Sequence, residues 1–158
     1  MNSVERRPEV TCAAKWWADA LFRPAPQDNG DAFQSGFATM AMMTVAVRCP
    51  MTKAERDQFE EFVATRLDCH VVEGGWNRAV HDPVWGSAVR AIGTDYHPDM
   101  LLESALIAAV GSERAQQLSL LWPIKTFMWI DPGSVKVRHG YGAEIEVLYQ
   151  RPDTQVEP

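Results

Sequence analysis

The stretch that decides the fold is KTFMWIDPGSVKVRHGYGAEIEVLY, residues 125–149. Apolar residues alternate with polar ones in 135–138 and again in 144–149, which is the pattern of half-buried strands. Turn residues at 131–133 and at 140–142 separate these segments from each other and from an apolar run before them. The sequence therefore predicts a three-stranded antiparallel meander that occupies the last third of the chain.

Upstream of the meander, the periodicity changes to that of helices. A stripe of apolar residues predicts a first helix over 8–22, with Pro8 at its first position and Glu9 in its first turn. Residues 31–47, which include Met40, are apolar almost all round, as is typical of a helix that other elements surround. Thr52 and Glu55 form a capping box that opens the next helix. The stripe of the first helix consists of Val10, Ala14, Trp17 and Leu21.

Two further helices are expected after Pro98, one ending at Gly111 and one running from Ser112 to about Leu120. Between them and the capping box, we predict a short strand over 70–73 and a short helix over 83–92. The resulting fold class is α+β: about five helices followed by the meander, which packs on the central apolar helix of 31–47. Residues 1–150 are expected to form a single domain, and 151–158 a disordered tail.

Composition excludes several classes of protein. The chain has 158 residues, of which 46% are hydrophobic and 23% charged, as in ordinary globular domains. Its formal net charge of −6 argues against general nucleic-acid binding. The longest apolar-rich stretch is shorter than a membrane span and is interrupted by polar residues. Three cysteines, without a secretory signal, predict reduced thiols and a cytoplasmic location.

No strong catalytic, metal or phosphate-binding motif is present. The candidate metal ligands lack the spacings that zinc sites use, so no metal and no cofactor are expected. An acidic loop with one imidazole is the densest polar cluster, and it supports a hypothesis of a small enzyme. The residues of that loop are Asp95, His97 and Asp99.

Two surfaces are candidates for binding. The helix after the capping box carries a strongly acidic face that suits a basic partner protein. The meander is instead the most basic part of the chain, and it is a candidate site for a nucleotide-like small molecule. The acidic face consists of Glu55, Asp57, Glu60 and Glu61. The basic set consists of Lys125, Arg138, His139 and Tyr141.

Three segments carry a resemblance to a known group of proteins. They are the run from Pro123 to Ala143 with its KTxMWI, GxVxV and GYGA elements, the segment DYHPD at 95–99, and CAAKWW at 12–17. Together they resemble small accessory proteins that are encoded in bacteriophages and prophages. The resemblance implies an inhibitor of bacterial defence systems, similar to anti-CRISPR proteins.

The leading hypothesis is therefore a non-enzymatic binding protein in the cytoplasm of a bacterial host. It would inhibit a host defence complex by direct contact, through the acidic helix. The alternatives are a protein that sequesters a nucleotide-like molecule on the basic meander, and a small enzyme that uses the acidic loop. No membrane partner is expected.

Overall fold

The computed structural model describes residues 5–22, 40, 51–76, 90–95, 97–123 and 125–152. The described helices are α1 (Pro8–Phe22), α2 (Lys53–Leu67), a π-helical segment (Asp68–Trp76), α3 (Met100–Val110), α4 (Ser112–Leu118) and a short 3₁₀ turn (Ser119–Leu121). The strands are β1 (Ala91–Thr94), β2 (Thr126–Asp131), β3 (Ser134–His139) and β4 (Ile145–Gln150).

The sheet has four antiparallel strands in the order β1-β2-β3-β4. The predicted meander is β2–β3–β4, and the α+β class is confirmed, but the count of three strands is wrong. The additional strand, β1, lies where we predicted the end of a helix over 83–92. Its four residues are too few for a clear periodicity, and its partner is far away in the sequence, since Ile92 pairs with Met128. The rest of that predicted helix, 83–89, lies outside the described residues.

Helix α1 covers the inner face of the sheet, contacting β2, β3 and β4, and also packs on α2. Its predicted apolar stripe is confirmed, because all four residues are at most 2% exposed. The predicted cover, the helix over 31–47, lies outside the described residues except for Met40. The expectation that Met40 lies in the core is wrong, since it is 70% exposed. An apolar pattern on all sides of a helix does not indicate which side faces the core.

Helix α2 begins at the predicted capping box, in which Thr52 and Glu55 exchange side-chain hydrogen bonds with each other's backbone N–H groups. Instead of the predicted strand over 70–73, the chain continues as the π-helical segment. The end of this segment is fixed to the sheet, because Trp76 Nε1 donates to the Ile130 carbonyl at 3.0 Å. That long-range hydrogen bond has no counterpart in local sequence periodicity.

Aromatic rings form the centre of the core. The rings of Trp17 and Trp122 meet edge to face with centroids 6.0 Å apart, and Phe59 lies 5.9 Å from Trp122. Two cysteines in the described part of the chain, Cys12 and Cys69, are free thiols, as predicted. Partial burial raises the pKa of Cys12. The third cysteine, Cys49, lies outside the described residues.

Glu9 ties α1 to the sheet. Its carboxylate is fully buried; Oε1 accepts hydrogen bonds from the backbone N–H of Gly133 at 2.7 Å and from Arg151 Nη2 at 2.8 Å. Gly133, at φ 84°, closes the β2–β3 turn, and its carbonyl accepts from the Arg151 N–H at 2.7 Å. Glu9 therefore stabilises the tertiary structure through long-range contacts. Its position in the sequence suggests only a favourable charge in the first turn of a helix.

Candidate partner-binding surface

The face of the sheet that points away from α1 combines aromatic, basic and aliphatic side chains. It arises from strand alternation: Met128, Ile130 and Val137 point inward and are fully buried, so their neighbours point outward. We call this surface the outer sheet face. Its residues are Ala91 and Gly93 on β1, Phe127 and Trp129 on β2, Lys136 and Arg138 on β3, and Ile145 and Val147 on β4.

Arg138 lies at the centre of the outer sheet face, on two aromatic rings. Its guanidinium carbon is 5.7 Å from the ring centroid of Phe127 and 5.6 Å from that of Trp129. The Nε atom is buried and makes no hydrogen bond with a described residue. Five other arginines of the described residues pair with carboxylates, whereas Arg138 does not: they are Arg6, Arg56, Arg90, Arg114 and Arg151. The rings therefore hold a cation in place without neutralising it.

The aliphatic part of the outer sheet face comes from β4. Ile145 and Val147 are each 53% exposed, and Ile145 lies opposite Arg138 in the register. A register shift at Val135 and Lys136 then changes the alternation, so that Leu148 and Tyr149 pack against the core. The sequence pattern suggested that Ile145 and Val147 belong to the buried face, which is wrong, because an irregularity of this kind is invisible to a strict period of two.

Gly93 lets the Phe127 ring lie close to β1. A Cβ atom at position 93 would be 2.6 Å from the Thr126 carbonyl oxygen and 3.1 Å from Phe127 Cδ1. The first contact is with backbone, which cannot rotate away. A side chain at this position is therefore incompatible with the observed pairing of β1 and β2.

Replacing Gly93 with alanine is expected to destabilise the protein by about 1–3 kcal/mol, as in other overpacked sites. The mechanism is displacement of β1 from β2. Urea unfolding measures the change, with Ala91→Gly on the same strand as a matched control that creates no clash. An alanine variant with wild-type stability would show that the two strands are not held as closely as described.

The predicted acidic face is largely neutralised within the chain. Glu61 accepts two hydrogen bonds from Arg6, at 2.7 and 2.8 Å, and Asp57 pairs with Lys53 at 3.0 Å. Glu55 pairs with Arg114. The fourth predicted residue, Glu60, has no ion pair with a described residue. The Glu61 and Glu55 pairs bind α2 to the segment before α1 and to α4, whereas the Asp57 pair lies within α2, so these three acidic residues act first as structural groups.

The ion pairs shift two carboxyl pKa values. The hydrogen bond from Arg6 lowers the pKa of Glu61 from its ordinary value of 4.5, and the hydrogen bond from Arg114 lowers that of Glu55. A carboxyl group with a lowered pKa in the folded state stabilises the fold above its ordinary pKa. That contribution is lost as the pH falls below 4.5, through the lowered value.

The variant Glu61→Gln is expected to be less stable than wild type at pH 7, by less than about 1 kcal/mol because the pair is solvent-screened. The Glu61 side chain is 62% exposed. The difference should disappear in acid, where the wild-type carboxyl is protonated. Urea unfolding across this pH range measures both effects. A difference that persists unchanged in acid would mean that the Arg6 ion pair is not its source.

The predicted ligand-binding residues of the meander do not converge on one site. Arg138 lies on the outer sheet face, whereas the ring of His139 lies 5.2 Å from that of Trp16 on α1. The other two meet at the end of the sheet, where Lys125 Nζ is 5.2 Å from the Tyr141 ring centroid. Adjacent strand residues point to opposite faces, which separates Arg138 from His139.

The acidic loop is likewise divided among separate contacts. Asp95 accepts a hydrogen bond from the Tyr141 hydroxyl, and Asp99 caps α3 by accepting from the Leu101 N–H at 2.9 Å. His97 is exposed. No group of three or more potential metal ligands occurs among residues that the structure describes. No helix in the same residues is long and apolar enough to cross a membrane.

Sequence reasoning missed the aromatic residues of the outer sheet face. The run from Thr126 to Ile130 predicts a strand, but its composition does not separate a buried face from an exposed one. The signal that was available is their spacing: two aromatic residues two positions apart lie on the same side of a strand. The sequence predicts Arg138 as a ligand-binding residue but does not indicate that it lies beside these rings.

Comparisons with known proteins agree with the described fold. A family model described as the BTG family matches residues 35–149. Among solved structures, the chain is similar to a doubly substituted BTG/Tob domain of C. elegans FOG-3, at 16% identity and a TM-score of 0.59, over 95% of this chain and 90% of that one. This identity supports the fold alone. No curated protein matches the chain.

These findings overturn the resemblance to phage-encoded accessory proteins. The interpretation as an anti-CRISPR-like inhibitor of a bacterial defence complex is wrong with it. The KTxMWI and GYGA elements that suggested it lie in the matched region, on β2 and in the β3–β4 turn. Such short segments describe strands and turns, and they recur without common ancestry.

Proposed function

Because the chain belongs to the BTG family, a family of eukaryotic regulatory proteins, we propose that it is a protein-binding domain whose outer sheet face docks on a partner protein. The observation that carries the proposal is the position of Arg138 on Phe127 and Trp129, beside the exposed Ile145 and Val147. Tryptophan and arginine are the residue types most enriched among those that dominate binding energy in protein interfaces.

The Arg138 side chain is held in position before a partner binds. The rings restrict the Arg138 side chain, so less conformational entropy is lost when a partner binds it. Its guanidinium also lacks a carboxylate within the described part of the chain. The partner therefore supplies a carboxylate for Arg138 and an apolar side chain that covers Ile145 and Val147.

A protein fits this face better than a nucleic acid does. Aromatic and basic side chains also occur on surfaces that stack single-stranded bases. Here, however, the exposed aliphatic residues Ile145 and Val147 offer no stacking surface. The net charge of −6 further disfavours a phosphate backbone.

The proposal is tested by comparative affinity purification from a eukaryotic cell lysate. Wild-type protein, Arg138→Glu and Glu60→Lys serve as baits, and recovered proteins are quantified by mass spectrometry. We expect a protein that is recovered with wild type and with Glu60→Lys but lost with Arg138→Glu. The reverse pattern would assign binding to the acidic helix. Recovery of RNA that is sensitive to Arg138→Glu, without such a protein, would favour a nucleic-acid function.

A further inference from the structure

Tyr141 lies in the turn between β3 and β4, where more than half of its surface is exposed. Its side chain is 55% exposed, and the glycines on either side, at φ 82° and 75°, have no atom within 4 Å of the position where a Cβ would lie. The exposed region continues into β4, since all residues over 141–147 are exposed. An enzyme that modifies a side chain needs such an accessible segment.

Among the described residues, Tyr141 contacts a carboxylate and a cation. The hydroxyl donates a hydrogen bond to Asp95, which follows β1. The Nζ atom of Lys125 lies 5.2 Å from the ring centroid. Lys125 is held there by its backbone, because it adopts φ 52° and its carbonyl accepts from the Gly140 N–H at 2.8 Å. A left-handed conformation at a lysine is unfavourable and is retained only where neighbouring contacts require it.

We propose that Tyr141 is a phosphorylation site for a protein tyrosine kinase and that Lys125 binds the added phosphate. In the reaction, the Tyr141 hydroxyl oxygen bonds to the γ-phosphorus of a nucleoside triphosphate, and the bond from that phosphorus to the β-γ bridging oxygen breaks. The nucleoside diphosphate leaves, and the hydroxyl proton passes to a base of the kinase. Glu144 and Glu146, which follow the tyrosine, suit a kinase with a basic substrate groove.

The modification changes the contacts at this end of the sheet. A phosphorylated tyrosine has no hydroxyl proton to donate, so the hydrogen bond to Asp95 is lost. The phosphate carries a charge of about −1.5 to −2 at neutral pH, which repels that carboxylate and attracts Lys125. The inference does not depend on the outer sheet face as a binding surface.

The chain offers a clean test because it has three tyrosines, at positions 96, 141 and 149. The full chain is incubated with Mg-ATP and a recombinant tyrosine kinase domain that prefers acidic residues after the target, and phosphate is located by mass spectrometry. We expect a single phosphate on Tyr141, loss of that species with Tyr141→Phe, and no change with Tyr149→Phe. Modification chiefly at either other tyrosine, or none at all, overturns the proposal.

The role of Lys125 has a separate readout. A ³¹P NMR titration of the phosphorylated protein measures the second ionisation of the phosphate, whose ordinary pKa is about 6. We expect ionisation at a lower pH than in a phosphotyrosine peptide with the sequence of 138–146, and a return towards the peptide value with Lys125→Gln. Equal values in wild type and Lys125→Gln contradict the assignment of Lys125.

Discussion

Replacing Glu9 with alanine is expected to lower the free energy of unfolding by about 3 kcal/mol, because a buried N–H loses its acceptor and an ion pair is broken. The N–H is that of Gly133, in the β2–β3 turn. Loss of the carboxylate also disconnects α1 from Arg151, which follows β4. One substitution therefore affects three elements that are far apart in the sequence.

Two further variants separate the contributions of Glu9. Glu9→Gln keeps an acceptor for the Gly133 N–H and removes only the charge, so its loss should be smaller. Arg151→Ala should cost about 1 kcal/mol or less, because its side chain is 53% exposed and the pair is screened by water. Urea unfolding orders the three variants. Equal stability of wild type and Glu9→Ala would contradict the conclusion that the hydrogen bonds of Glu9 hold α1 on the sheet.

Replacing Trp17 with alanine should have the largest effect of all, a loss of about 3–5 kcal/mol, since a buried tryptophan leaves a large cavity. Trp17 is fully buried and contacts the rings of Trp16 and Trp122. By contrast, Trp129→Ala removes a partly buried side chain of the outer sheet face and should cost about 1 kcal/mol or less. Thermal melting and urea unfolding compare the two variants.

The variant Trp17→Phe keeps part of the aromatic contact. It also removes an indole N–H that is buried without a hydrogen-bond partner in the described structure. Its loss of stability should therefore be clearly smaller than that of Trp17→Ala. If Trp129→Ala destabilised the protein as much as Trp17→Ala does, the outer sheet face would be a structural surface rather than an exposed one.

The sequence predicted the elements that are determined by interactions between residues close together in the chain. The capping box of Thr52 and Glu55, the buried stripe of α1 and the β2–β3–β4 meander were all predicted, because each follows from neighbouring residues. Strand β1 was not, since it exists through pairing with β2, more than thirty residues away. The π-helical segment was missed for the same reason: Trp76, at its end, donates a hydrogen bond to the Ile130 carbonyl of the distant β2.

The candidate site was harder to predict than the fold. The charged residues of α2 and of the sheet are visible in the sequence, but their partners are not: Glu61 pairs with Arg6, 55 positions away. The face to which Trp129 points depends on the register of β2, and the exposure of Val147 depends on an irregularity in β4. Which charges are neutralised, and which side of a sheet is open, are properties of tertiary structure.

The most direct test of the proposed function is the affinity of Trp129→Ala for a partner protein recovered with wild type. Calorimetry or surface plasmon resonance gives the dissociation constant, and a melting curve verifies that the variant is folded. Our account predicts a loss of about 2 kcal/mol or more in binding free energy, which is roughly a 30-fold weaker dissociation constant. A folded Trp129→Ala variant that binds as tightly as wild type would contradict docking through the outer sheet face.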